Sequence, residues 1–169
     1  MRIGVLSDTH DHVPAVEALV ARLAEAGVGL VLHAGDYCAP FSLAPLRRAG
    51  IPLLGVFGRN DGDHDGLRAA AAALPAGGEL VDAPHSLELG GRSVLLVHDL
   101  GDALARSVDA HAVVVHGCSH RAEARQRGAT LLVNPGEGCG RLLGEPRAAV
   151  VDLEALRVEP VSLGPDWRG

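Results

Sequence analysis

The sequence contains no lysine, so all 15 of its basic residues are arginine, and 21 acidic residues outnumber them to give a formal net charge of −6. The arginines are scattered, and the densest places are Arg47-Arg48 and the segment 121–127. A protein that binds nucleic acid through its phosphates normally shows a positive balance and a basic stripe. The composition therefore argues against nucleic acid as a stable partner.

Aromatic residues are also scarce, at 2% of the chain, although hydrophobic residues make up 47% of it. Alanine, valine and leucine must therefore fill the core, and such small side chains suit close packing of helices on sheets. No hydrophobic run approaches the roughly 18 residues that predict a membrane-spanning helix. Met1 leads directly into a predicted strand, without the pattern of a secretory signal. We expect no membrane partner.

Cysteine is limited to Cys38, Cys118 and Cys139, an odd number without CxxC spacing, so we expect a reducing cytoplasmic location rather than a disulfide framework. A chain of 169 residues is long enough for one domain with a substantial core and too short for two ordinary ones. We assign residues 1–163 to a single domain and residues 164–169 to a C-terminal tail. A homodimer is compatible with a small domain that has two exposed sheet edges.

The first half of the chain alternates short β-branched runs with helical stretches rich in alanine and leucine, which indicates βαβ units and a mainly parallel sheet. The second half contains three predicted hairpins, at 86–97, 122–133 and 148–161. These hairpins predict a second, more antiparallel sheet packed on the first, with helices outside.

Five predicted strands end in side chains that can bind metals. Asp8 and His10 share a face of extended backbone, so both can reach one ion about 2.0 to 2.2 Å away. Together the strand ends supply carboxylate, imidazole, amide and thiol groups, which are Asp8, His10, Asp36, Asn60, Asp61, His98, Cys118 and His120. Because the carboxyl ends of parallel strands form one edge of a sheet, this edge is the predicted site.

Each of these motifs alone has a structural interpretation as well. Asp8 could cap the following helix, and Gly35-Asp36 usually means a turn. An isolated His98 is more typical of a hydrogen-bonded residue at a strand end, and Cys118 could be a small buried hydrophobe. The prediction of a metal site therefore depends on the motifs taken together.

In their order and spacing, the motifs D-x-H, GD, G-x-N-D, H and G-x-x-H resemble those of the calcineurin-like metallophosphoesterase superfamily, specifically its small prokaryotic phosphodiesterase branch. The resemblance runs from IGVLSDTHDH to LLVNPGEGCG. It implies an α/β fold, a four-layer α/β/β/α sandwich of two mixed β-sheets flanked by helices. It also implies hydrolysis of small phosphate esters by a metal-activated hydroxide at a centre of divalent ions, most often Mn²⁺, with Zn²⁺, Ni²⁺ or Fe as alternatives.

Carried over residue by residue, the resemblance assigns the first metal site to Asp8, His10, Asp36 and His120, with Asp36 as the bridge, and His98 to the second site. Three positions depart from the family pattern. Arg59 stands where the family has an asparagine ligand, and Cys118 stands where it has the first histidine of GHxH. Asn60 stands where many relatives place a histidine that protonates the leaving group. A register shift by one would make Asn60 the amide ligand, but Asp61 would then lose its match.

These departures leave three alternatives for the site. In the first, one ion is firmly held and Arg59 supplies the second positive charge, with Arg59 and Asn60 as the catalytic residues. In the second, Cys118 and His98 hold a second ion such as Zn²⁺. In the third, the chain is a non-catalytic scaffold or interaction protein, as the retromer subunit of this fold is. The five retained ligands favour an enzyme, a phosphodiesterase-like phosphoric ester hydrolase.

Overall fold

The computed structural model describes residues 1–168, in which two β-sheets are stacked and helices cover both outer faces. The strands are β1 (Arg2–Leu6), β2 (Val31–His33), β3 (Leu53–Val56), β4 (Gly78–Val81), β5 (His85–Leu89), β6 (Arg92–Leu96), β7 (Val113–Val115), β8 (Glu123–Arg127), β9 (Thr130–Asn134), β10 (Arg147–Asp152) and β11 (Arg157–Ser162). The first sheet has the order β11-β10-β1-β2-β3-β4 and the second has the order β5-β6-β7-β9-β8. Strands β1 to β4 run parallel to one another.

Within residues 1–168, four α-helices and two short 3-10 helices connect the strands. The α-helices are α1 (Val13–Glu25), α2 (Ala44–Ala49), α3 (His64–Ala72) and α4 (Ala105–Asp109), and the 3-10 helices span Pro40–Leu43 and Leu100–Asp102. Helix α1 has a proline in its first turn and buries a face with helical spacing, which includes Val16, Leu19 and Leu23. None of the helices described in residues 1–168 has the length and apolar character needed to cross a membrane.

Three apolar clusters separate the layers. Leu19 and Leu23 of α1 belong to the cluster that lies on the outer face of the first sheet. Val5 and Val115 belong to the cluster between the two sheets. Val108 of α4 packs with side chains on the outer face of the second sheet. This layering agrees with the predicted α/β fold of two mixed sheets flanked by helices.

Two details of the predicted topology are wrong. Strand β4 was not expected, and it extends the parallel part of the first sheet. The last hairpin, β10 and β11, joins the first sheet instead of the second, because β10 pairs antiparallel with β1 through the register Gly4 to Val150. The second sheet is mixed, as predicted, since β7 runs parallel to both of its neighbours while β5 and β8 run antiparallel to theirs. Both sheets consequently present parallel strand ends at one edge of the molecule.

Candidate metal centre

The polar side chains predicted to bind metal lie in the loops that leave β1, β2, β6 and β7. Two sheets contribute, because β1 and β2 belong to the first sheet and β6 and β7 to the second. Asp8, Asp36 and His98 are almost fully buried, with relative exposures of 0%, 2% and 4%. Buried ionisable groups of this kind are rare unless a partner compensates them.

The ligand atoms of these residues converge. Atoms of Asp8, His10 and His120 lie within 4.8 Å of one another, and so do atoms of Asp8, Asp36 and His98. Asp36 Oδ2 lies 3.6 Å from His10 Nε2 and 3.6 Å from His98 Nε2. One carboxylate oxygen therefore faces an imidazole from each group, as a bridging ligand would.

Three buried atoms at this point have no hydrogen-bond partner within residues 1–168. They are Asp8 Oδ1, His10 Nε2 and His98 Nε2. An unpaired buried polar atom lowers the stability of the fold by about 1 to 3 kcal/mol. Three such atoms close together therefore indicate a bound group that compensates them. Oxygen and imidazole nitrogen are ligands that suit divalent cations such as Mn²⁺ and Zn²⁺. The residues thus fit the metal ions that the sequence predicts.

The outer nitrogens of the three histidines fix which ring atom faces the centre. His98 Nδ1 lies 2.7 Å from the carbonyl oxygen of Ala34, which can only accept, so Nδ1 carries the proton. His120 Nδ1 lies 2.8 Å from Glu137 Oε2, and His10 Nδ1 lies 3.4 Å from Cys38 Sγ. Such outer contacts leave the Nε2 lone pairs for a metal and hold the rings in place.

The buried position of Asp8 disfavours its carboxylate form, and a nearby cation would offset this effect. Burial raises the pKa of Asp8, because removing the carboxylate from water disfavours its charged form. Its Oδ2 accepts a hydrogen bond from the Cys118 backbone N–H at 3.1 Å, and its Oδ1 has no such donor. A divalent ion beside Oδ1 would favour the carboxylate and reverse the effect of burial.

Backbone strain is concentrated around the same loops. Eight non-glycine residues in 1–168 have positive φ, and seven of them lie in the site loops, namely Asp8, His10, Asp11, Asp36, Cys38, Cys118 and His120. Non-glycine residues rarely adopt this region, and such strain persists only where surrounding structure enforces it. Asp8 and His10 are thus brought together by a turning backbone, and the extended backbone predicted for this segment was wrong.

A glycine allows the two sheets to approach each other at the centre. A Cβ added to Gly117 would lie 1.8 Å from Ser7 Oγ and 2.8 Å from Asp8 Oδ2. Any larger residue at this position would push the loop after β7 away from Asp8. The glycine of the predicted G-x-x-H motif therefore has a steric role.

Arg59 and Asn60 face in different directions. Arg59 is 62% exposed, and its Nη2 donates to Asp99 Oδ2 at 2.5 Å. Asn60 lies against the centre, where its Nδ2 donates to Asp36 Oδ2 at 2.7 Å and its backbone N–H donates to Asp36 Oδ1 at 2.8 Å. The amide at this edge of the centre thus comes from position 60.

Asp61 is a structural residue of the same loop. Its carboxylate accepts hydrogen bonds from the backbone N–H groups of Asp36, Cys38 and Gly58 at 2.7 to 3.0 Å. These bonds tie the loop after β3 to the loop after β2. They fix the position of Asp36.

Cys118 lies outside the clusters of potential ligand atoms found within residues 1–168. Its Sγ donates to Asp99 Oδ2 at 3.6 Å, the oxygen that also accepts from Arg59. Burial raises the pKa of the Cys118 thiol, which favours the protonated donor. Arg59, Asp99 and Cys118 therefore form a linked group beside His98.

The family profile described as the calcineurin-like phosphoesterase superfamily domain matches residues 1–156. The chain belongs to this superfamily. Membership confirms the family recognised from the sequence and, with it, the expected class of enzyme, a metal-dependent phosphoric ester hydrolase. The family also accounts for a cluster of carboxylate and imidazole ligands at this edge of the sheets.

Individual relatives agree with the assignment to calcineurin-like phosphoesterases. A phosphodiesterase of Methanocaldococcus jannaschii is 27% identical over 166 residues, which cover 96% of this chain and 99% of the relative. The structure of an archaeal phosphodiesterase superposes with a TM-score of 0.90 at 26% identity and covers 96% of this chain and 100% of its own. The phosphoesterase Yfce of E. coli, with a TM-score of 0.69, 18% identity and coverage of 97% and 100%, shares the fold.

Glu137 is a site residue that the sequence analysis missed. It is buried, with an exposure of 1%, and its Oε2 accepts from His120 Nδ1. The backbone N–H groups of Leu142 and Leu143 also donate to its carboxylate, at 3.1 and 2.6 Å. The available signal in the sequence was the predicted strand that ends at residue 133. In the structure this strand, β9, runs parallel to β7, so the segment that follows it reaches the same edge.

The contact between Glu137 and His120 predicts a loss of metal affinity when the carboxylate is removed. Glu137→Gln keeps the shape but replaces a charged acceptor with an amide, so His120 becomes a weaker ligand. We expect a 10- to 100-fold weaker affinity for Mn²⁺, as other outer-contact variants show. Isothermal titration calorimetry with Mn²⁺ measures this, and Glu159→Gln, at an exposed surface pair with Arg2, serves as the control. An unchanged affinity would contradict the role of Glu137.

Proposed function

We propose that this chain hydrolyses phosphodiesters with good leaving groups, using a metal centre held by Asp8, His10, Asp36, His98 and His120. The observation that carries the proposal is the convergence of the unpaired buried atoms of Asp8, His10 and His98 around the Asp36 carboxylate. Membership of the phosphoesterase superfamily and the phosphodiesterase relative support this choice of reaction.

A divalent ion at this point would supply Lewis acidity toward phosphate oxygens and would lower the pKa of a water ligand toward neutrality. The protein contributes the arrangement. Asp36 is positioned by the N–H and Nδ2 groups of Asn60, and the imidazoles of His98 and His120 are oriented by Ala34 and Glu137. Preorganised ligands of this kind require little reorganisation during the reaction.

Arg59 is the residue that we propose to bind a phosphate oxygen beside the metal. A guanidinium stays charged at every relevant pH and presents five N–H donors, of which Asp99 engages Nη2. Its side chain is 62% exposed, which leaves its other N–H donors available to a substrate. In this arrangement Arg59 provides positive charge that a second ion would otherwise provide.

Asn60 limits the substrates that this site can cleave. It lines the cleft together with His10 and His120. An amide has no proton to give at neutral pH, so position 60 cannot act as the general acid for a poor leaving group. We therefore propose aryl phosphates and activated phosphodiesters as the best substrates. Simple alkyl phosphates should react slowly.

The ligand set also bears on the identity of the metal. The converging atoms are carboxylate oxygens and imidazole nitrogens, without a thiolate among the five ligands. This set suits Mn²⁺ and Zn²⁺ better than soft ions. We propose one firmly held ion, with Mn²⁺ as the first choice.

Hydrolysis of bis-p-nitrophenyl phosphate after metal removal tests the proposed function. The protein is dialysed against a chelator and assayed alone and with added Mn²⁺, Zn²⁺ or Ca²⁺, with p-nitrophenyl phosphate as the monoester comparison. We expect no rate above background without metal, restoration by Mn²⁺ or Zn²⁺, and faster cleavage of the diester. A protein that binds metal but shows no hydrolysis with any of these ions would instead support a non-catalytic scaffold.

A further inference from the structure

We propose that a second subsite, between the loop 139–141 and the C-terminal segment, binds the aromatic substituent of the phosphate ester. The ester is the substrate assigned under the proposed function, and the subsite specifies its class: phosphate esters that carry a planar aromatic group, such as nucleotides and aryl phosphates. The observations that carry the proposal are the position of Trp167 and a concavity shared with the metal centre.

Trp167 is the single tryptophan of the chain, and it lies beside the loop that carries His10. Its ring packs edge-on against the His12 ring, with 5.7 Å between the centroids. His12 Nδ1 in turn donates to the carbonyl oxygen of Cys139 at 2.6 Å. The C-terminal segment, which the sequence analysis assigned to a tail, therefore contacts His12, and His12 is two positions after the metal ligand His10.

Two concavities adjoin at Arg141. The cleft over the metal centre is lined by His10, His120, Cys139 and Arg141, among others. A second concavity, between this loop and the C-terminal segment, is lined by Trp167 and also by Cys139 and Arg141. Since the same two residues line both, a ligand with its phosphate over the metal centre can extend toward Trp167.

The loop that carries Arg141 is anchored to the metal-binding segment. The backbone N–H groups of Gly138 and Cys139 donate to the carbonyl oxygens of Ser7 and Asp8, at 2.8 and 3.1 Å. On the other side of Arg141, Leu142 and its neighbour donate to Glu137. The backbone at Arg141 is therefore fixed relative to the centre, while its side chain is exposed and lines both concavities.

The chemistry of the subsite fits a phosphate joined to an aromatic ring. Arg141 adds a positive charge beside the cleft in a chain whose net charge is −6, and a guanidinium pairs well with phosphate oxygens. Trp167 is partly exposed and offers an indole ring on which a planar group can stack. Arg168 donates to the carbonyl oxygens of Pro165 and Trp167, which stabilises the turn that presents the indole.

Tryptophan fluorescence tests the subsite directly, because Trp167 is the only source of that signal. Adenosine 5′-monophosphate is titrated into the Zn²⁺-loaded protein, and ribose 5-phosphate, which lacks the base, is titrated in parallel. We expect a saturable change in fluorescence with the nucleotide and none with the sugar phosphate. No change with the nucleotide would overturn the proposal.

Calorimetry on variants provides a second readout. Trp167→Leu should weaken binding of adenosine 5′-monophosphate about tenfold and leave that of ribose 5-phosphate unchanged, while Trp167→Phe should retain most of the affinity. Arg141→Met should weaken both ligands, and Arg106→Met, on the exposed side of α4, should change neither. Equal affinities for the nucleotide in wild type and Trp167→Leu would overturn the subsite.

These binding measurements need no turnover, so they separate the subsite from the proposed function. Nucleotide binding that depends on Trp167, without hydrolysis of any ester, would support the subsite and contradict the phosphodiesterase. Hydrolysis with normal kinetics in Trp167→Leu for both bis-p-nitrophenyl phosphate and methyl p-nitrophenyl phosphate would support the phosphodiesterase and contradict the subsite. If both proposals hold, Trp167→Leu should raise KM for the diaryl ester more than for the methyl ester.

Discussion

Asp36→Asn is expected to lower kcat/KM for bis-p-nitrophenyl phosphate by about 10³-fold or more, which corresponds to about 4 kcal/mol of transition-state stabilisation. Asp36 Oδ2 is the atom that faces both His10 Nε2 and His98 Nε2 at 3.6 Å. The substitution removes a negative charge from the centre and leaves its shape nearly unchanged. Metal content, measured by plasma mass spectrometry after dialysis, should fall together with the rate.

Stability distinguishes a lost site from a lost fold. The carboxylates of Asp8 and Asp36 lie close together and are buried, so the metal-free protein contains unfavourable negative charge at this point. Asp36→Asn removes part of that repulsion, and Asn60 can rotate its amide to keep the hydrogen bond. The melting temperature of the metal-free variant should therefore equal or exceed that of the wild type.

The matched control is Asp82→Asn, which removes one carboxylate from an exposed pair with Arg68. Exposed ion pairs contribute little, so this variant should keep both activity and metal content. Equal activities of Asp36→Asn and Asp82→Asn would contradict the assignment of Asp36 as the central ligand.

The sequence was most informative where a strand ends in a polar residue. A buried apolar run followed by Asp8, His10 or His98 predicts both the strand and the side chain at its end, because strand direction determines which edge these groups reach. The pairing of the last hairpin was harder to predict. Strand β10 is largely buried and contains β-branched Val150 and Val151. Its local sequence is compatible with a place beside β1 and equally with a place in the second sheet. Only the tertiary pairing of Gly4 with Val150 decides it.

Residues that act through another residue were the ones that the sequence did not reveal. Glu137 and Asp99 carry no motif, since each acts through a contact with a residue 17 or 40 positions away, His120 and Arg59. The direction of a side chain also depends on its loop. Arg59 and Asn60 are neighbours in sequence, yet one is exposed and the other contacts Asp36 because Asp61 anchors the loop between β3 and α3.

The linked group of Arg59, Asp99 and Cys118 leads to the second large expected effect, a change in metal stoichiometry. The double substitution Arg59→Asn and Cys118→His should raise the metal content from one ion per chain toward two. In the wild type, the Arg59 guanidinium is held by Asp99, the residue after His98, and the Cys118 thiol is engaged with the same carboxylate. We expect the charge of the guanidinium to disfavour a second cation. The substitutions remove this positive charge and add an amide and an imidazole.

Metal content per chain after dialysis against Mn²⁺ or Zn²⁺ measures the effect, and the two single variants complete a double-mutant cycle. Because the two positions share Asp99 as a partner, their effects should not be additive, and Arg59→Asn alone should give only partial occupancy of a second site.

The control is Arg68→Asn, which removes an arginine from the exposed pair with Asp82 and should leave one ion per chain. Two ions in the wild type, or one ion in the double variant, would show that Arg59 does not exclude the second metal. Two ions in the double variant together with faster cleavage of the diester would show that a second ion serves the reaction better than Arg59 does.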